Sequence, residues 1–191
     1  MANKNAPFGL KSIGKVGQNK DNQGLSEYSI AAEATAIYQW DPVVMANTGT
    51  IAVGAAEVAL LGSLNGVFYT DASTKKPTWA NHLAASNTAT DIVGFVCDDP
   101  YERFEIQSNN SGASAQTDIG NCADIVYAAG SSHDYISGVQ LNDATLGTSD
   151  GQLKIIGVSK DPDNNSITST DGYVNWVVVI NEHFLKQVAG I

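Results

Sequence analysis

The sequence predicts an all-β body, a single barrel or sandwich, behind an extended N-terminal arm. Three observations carry that prediction. Short apolar runs alternate with polar residues at period two along much of the chain. Turn signals built on Gly, Pro and Asn recur at roughly ten-residue intervals, and no long run of apolar residues keeps helical spacing. The first twenty residues contain no acid but hold Lys4, Lys11, Lys15 and Lys20, punctuated by Gly9, Gly14 and Gly17.

Charge sets the arm apart. Its first twenty residues carry +4, whereas the rest of the chain has six bases against twenty acids, −14, for a net −10. A cationic, glycine-punctuated leader on an acidic body is expected to dock on another surface. We place the arm at residues 1–24 and the β-rich body at residues 25–191.

Within the body, Glu27–Ala31 and Thr35–Gln39 alternate as strands. Asp41-Pro42 interrupts them before Val43–Met45, and Asn47-Thr48-Gly49 turns the chain into Thr50–Val53. Gly54–Leu64 is ambiguous, with a short helix limited by Gly62 and by an Asn65-Gly66 turn. Val67–Thr70 is a strand, and Asp71–Thr90 is a long polar loop in which Pro77 marks an edge. Asp91–Cys97 and Arg103–Ser108 are expected to form a hairpin around Asp98–Glu102. Asp118–Cys122 fits one helical turn, and Ile125–Tyr127 and Ile136–Leu141 are short strands. Gln152–Ser159 and Tyr173–Ile180 make a second hairpin, and Glu182–Val188 a helical turn or two.

Composition narrows the function. A net charge of −10 with Arg103 as the sole arginine argues against nucleic acid as a partner of the body. No apolar stretch reaches the length of a membrane span or of a secretion signal, so the expectation is a protein made in a cytoplasm with no membrane partner. Cys97 and Cys122 read as two buried thiols; a bridge between them would need Cα atoms within about 7 Å.

No motif supports catalysis or a cofactor. Gly147-x-Ser149-x-Gly151 has the spacing of a nucleophile elbow, but a polar turn precedes the serine and a strand follows it. Asp98, Asp99, Glu102 and Glu105 form the densest acid cluster, which reads as a solvated hairpin tip with Arg103 as counter-charge. Asp161-x-Asp163-x-Asn165 begins like a calcium loop, yet Ser166 and Gly172 stand where glycine and glutamate are required. His82, His133 and His183 lie about fifty residues apart, too sparse for a zinc site.

Several segments carry a resemblance. Asn5-Ala6-Pro7-Phe8-Gly9-Leu10, Tyr28-x-Ile30-Ala31 and Trp40-Asp41-Pro42-Val43 resemble the start of capsid decoration, or cement, proteins of tailed bacteriophages. Leu61-Gly62-x-x-Asn65-Gly66-Val67, Asp99-Pro100-x-x-x-Phe104-x-Ile106-Gln107, Leu153–Gly157 and the Val177–His183 ending are similar too. The resemblance implies a barrel or jelly-roll-like sandwich on the outer surface of the capsid. It implies a homotrimer or homodimer whose partners are the major capsid protein and neighbouring copies, reached through the arm.

The expected function is therefore that of a non-enzymatic virion structural protein that stabilises contacts between capsid subunits. Lys4, Lys11, Lys15 and Lys20 would steer the encounter, and Pro7, Phe8, Leu10, Ile13 and Val16 would supply anchoring burial. On this reading, deleting residues 1–20 leaves a folded body that no longer decorates heads. Alternatives are a tail, tube or head-fiber component, and a virion-surface carbohydrate-binding module with Trp79 and the 71–90 loop as its platform. A depolymerase is a further alternative, weakened because no acid pair or triad is legible.

Overall fold

The period-two pattern is realised in thirteen strands and three short 3-10 turns among the described residues. The computed structural model of the chain describes residues 3–17, 24–32, 34–111, 113–147, 150–162, 164, 167 and 172–186. Lys20, Ser149, Asp163 and the tail beyond Lys186 lie outside them.

Two antiparallel sheets form a sandwich-like arrangement with no closed barrel. The first has the order β1 (Lys11–Lys15), β8 (Glu102–Gln107), β13 (Asn175–Ile180), β12 (Leu153–Val158), β9 (Cys122–Ala123). The second runs β2 (Ser26–Ser29), β7 (Val93–Cys97), β5 (Gly62–Thr70), β3 (Pro42–Met45), β4 (Ile51–Val53), with β6 (Pro77–Ala80) also paired to β5. A small ribbon joins β10 (Ile125–Val126) to β11 (Gln140–Leu141).

Alternation decides what each sheet buries. In β13, Trp176, Val178 and Ile180 face inward, and in β8 Phe104 and Ile106 do the same. They join Leu153, Ile155 and Leu141 in one apolar cluster. A second cluster, with Val43, Ile51, Leu64, Val67 and Val96, lines the other sheet. Cys97 leaves the second sheet yet packs in the first cluster, so the chain crosses between layers there.

That crossing corrects an expectation. β7 and β8 are not a hairpin: β7 pairs with β2 and β5, whereas β8 pairs with β1 and β13. Asp98–Tyr101 is a corner between sheets. Two similar strands joined by a short turn signal hairpin and corner alike; the partners that bury each strand choose between them. Other corrections share this origin. Asn65-Gly66 is a bulge inside the nine-residue β5 rather than a turn. The long polar loop contains edge strand β6, with Pro77 as its first residue. Thr35–Gln39 makes only isolated bridges, Ile37 to Leu83 and Gln39 to Ile136. The C-terminal hairpin of β12 and β13 is present as expected.

Cys97 and Cys122 are free and buried. Burial pushes the Cys97 thiol up to about 11. Both thiols are expected to resist an aromatic disulfide reagent in the native protein and to react once urea unfolds it. Stoichiometric labelling within seconds under native conditions would contradict that burial.

Candidate functional site

Much of the segment expected to be an extended docking arm packs against the body. Leu10 is 0% exposed and packs in the core of the first sheet. Its N–H donates to the Trp40 carbonyl at 2.8 Å, and its own carbonyl accepts from Ser63 Oγ at 2.5 Å. Gly9 makes this insertion feasible. It has φ +73°, and a Cβ there would run into the Ser137 side chain and the Trp40 carbonyl. Upstream, Gln107 grips the chain from both ends of its amide. It accepts from Ala6 N–H at 2.8 Å and donates to the Lys4 carbonyl at 3.0 Å.

Downstream, β1 pairs with β8 and forms the open edge of the first sheet. The acid cluster fastens it there. Glu102 is buried and accepts from Ser12 Oγ and from Gly14 N–H. Lys15 Nζ pairs with Asp99 Oδ2 at 2.8 Å, and this contact holds the Asp99 carboxyl below its usual range. Asp98 accepts from Ser26 Oγ at 2.9 Å and from Tyr28 Oη at 2.6 Å, tying in β2. Burial, with Asp98 alongside, pushes the Tyr28 phenol up to about 12. Three of the four acids read as a solvated tip, Asp98, Asp99 and Glu102, are thus the joinery of the corner between sheets, whereas Glu105 lies within β8. Acids in a turn-like segment gave no sign of that, because their partners lie about seventy to ninety residues away.

The expected binding residues therefore separate. Leu10 serves the chain's own core, and Pro7 and Phe8 are half-buried. Lys15 is engaged by Asp99, and Lys4 and Lys11 are exposed, with Lys11 Nζ 5.7 Å from the Trp40 ring centre. Ile13 and Val16 remain 37% and 50% exposed. Ile13 sits at the register shift of β1, so this bulge turns an apolar side chain outward while blunting simple strand addition. Lys20 falls outside the described residues.

A second surface lies on the outer side of the other sheet. Trp79 on β6 stands directly opposite Phe68 on β5, and Phe95 on β7 completes the cluster. Trp79 lies 4.8 Å from Phe68 and 5.1 Å from Phe95 between ring centres, nearly parallel to the latter. It is nevertheless 70% exposed. Trp79 and Phe95, with Leu25, Asn65, Gly66 and Asn81, border a shallow groove of about 390 Å³, and Phe68 backs Trp79 without lining it. The sequence singled out Trp79 but not Phe68 or Phe95, because only the strand register brings all three together.

Among the described residues, no group of three or more His, Cys, Asp or Glu is placed to hold a metal ion. No helix there is long and apolar enough to cross a membrane. No protein-family model, curated protein or solved structure matches the chain.

Proposed function

We propose that this chain is a non-enzymatic virion structural protein of the capsid decoration kind, attached to the outside of a phage head and bridging neighbouring capsid subunits. The observation that supports this reading is the β1 edge, where Lys11 and Ile13 stand exposed on a strand whose backbone is locked into the body, with Val16 exposed just beyond its end. A rigid strand presenting apolar side chains beside a cation loses little conformational freedom on binding. The mechanism is mechanical. Surface buried across two subunits must be exposed again before they separate, and many copies act at once. The major capsid protein and further copies of this chain, as trimer or dimer, are the partners in this reading. The lysines steer attachment by a salt-sensitive attraction.

Quantitative mass spectrometry of purified particles tests it: the chain is expected in many copies per head. Its absence from particles, or a copy number matching a tail ring, would overturn the proposal. Ile13→Asp with Val16→Asp is expected to leave the fold intact and to lower head occupancy at least tenfold, since charges replace apolar contacts. Full occupancy by the folded double variant would remove β1 from the interface.

A further inference from the structure

We infer that the groove beside Trp79 is a binding site for a neutral saccharide, separate from the β1 edge. The indole is exposed yet fixed from behind by Phe68 and Phe95, so it offers a flat, preorganised apolar surface. A pyranose ring has a matching face of C–H groups and carries hydroxyls around its rim. The groove supplies partners for such hydroxyls. Asn65 is the extra residue of the β5 bulge; it is exposed, and no described residue hydrogen-bonds its side chain. Asn81 is held in place by neighbours. Its Nδ2 donates to the Asp134 carbonyl at 3.0 Å, and its Oδ1 lies 3.0 Å from His82 Nδ1. His82 in turn stacks on Tyr135 at 3.7 Å, which braces the neighbour of Asn81. Its oxygen keeps a second lone pair for a ligand hydroxyl.

Two features select the ligand class. None of the lining residues is ionisable, so nothing there compensates a phosphate, carboxylate or ammonium group. The volume, about 390 Å³, is at the small end of ligand sites and suits one or two sugar rings rather than an extended polypeptide. A protein partner would need roughly 800 Å² on this side, well beyond the groove and across its polar surroundings.

The test applies the full-length chain to an immobilised array of neutral oligosaccharides that includes glucose-, galactose- and N-acetylglucosamine-based chains. Hits are titrated in solution by tryptophan fluorescence. A saturable blue shift is expected, because Trp79 is the most exposed of the three indoles. Trp79→Ala should reduce binding at least tenfold with unchanged circular dichroism, Trp79→Phe should retain part of it, and Asn65→Ala should weaken it several-fold. No binding to any neutral oligosaccharide, or binding indifferent to Trp79→Ala, overturns the inference. Loss of head occupancy in Trp79→Ala without sugar binding would also overturn it, assigning the groove to a protein interface. Sugar binding that requires Trp79 stands whether or not the chain is found on particles, so the two proposals fail separately.

Discussion

Replacing Leu10 with alanine is expected to lower stability by about 3 kcal/mol, within the range for a fully buried leucine. Leu10 has no accessible surface, belongs to the cluster around Phe104 and Trp176, and is held by backbone bonds on both sides. The surrounding strands cannot close the hole without breaking those bonds, so the cavity persists. Urea unfolding followed by tryptophan emission measures the effect, with Trp176 buried in the same cluster as reporter. Small domains have only about 5–15 kcal/mol in total, so the midpoint should fall visibly. An unchanged midpoint would mean that residue 10 is outside the core in solution. Ile13→Asp, three residues on but exposed, should shift the midpoint by no more than about 0.5 kcal/mol. A chain starting at residue 21 would lose Leu10, strand β1 and the partners of Glu102 together. It is expected not to reach the native fold, in place of the folded body expected from the sequence after deletion of residues 1–20.

The second large effect concerns Asp41. This residue has no accessible surface, and its Oδ2 accepts from Tyr38 N–H at 2.8 Å. Burial raises its carboxyl from the usual 3.8 to about 6. The folded protein therefore keeps a proton that the unfolded chain releases. The stabilising contribution is complete below 3.8 and is lost as pH rises through 6. A shift of this size corresponds to about 3 kcal/mol at neutral pH. Asp41→Asn keeps the acceptor for Tyr38 and removes the buried charge. It is expected to stabilise the protein by about 1–2 kcal/mol at pH 7.5, with little gain at pH 3.5. Asp143, also raised to about 6 by burial, acts in the same direction. His183 opposes both, because burial depresses its imidazole to about 4 and its protonation destabilises the fold in acid. Comparing variant and parent at each pH cancels those two contributions. Parallel stability–pH curves for Asp41→Asn and the parent would refute the assignment.

The local pattern carried the fold class because β-structure is written at period two. Val177-Val178-Val179 with Trp176 can alternate in and out only as a strand, and β13 does so. The turn at Asn47-Thr48-Gly49 was equally legible, since Gly49 adopts φ +76°, a region that favours glycine. Charge counting, by contrast, read the N-terminal segment as an appendage. A lysine-rich stretch with scattered apolar residues looks the same whether it floats or is pinned by distant partners.

Pairing of strands far apart in sequence lay beyond local pattern. The β7–β8 corner, the burial of Glu102 between Ser12 and Gly14, and the meeting of Trp79, Phe68 and Phe95 all depend on register between such strands. Register follows from which faces are buried when both sheets form together. Periodicity along one segment names the residues able to face a core. The packed sandwich alone determines which of them do, and which, like Trp79, are left facing water.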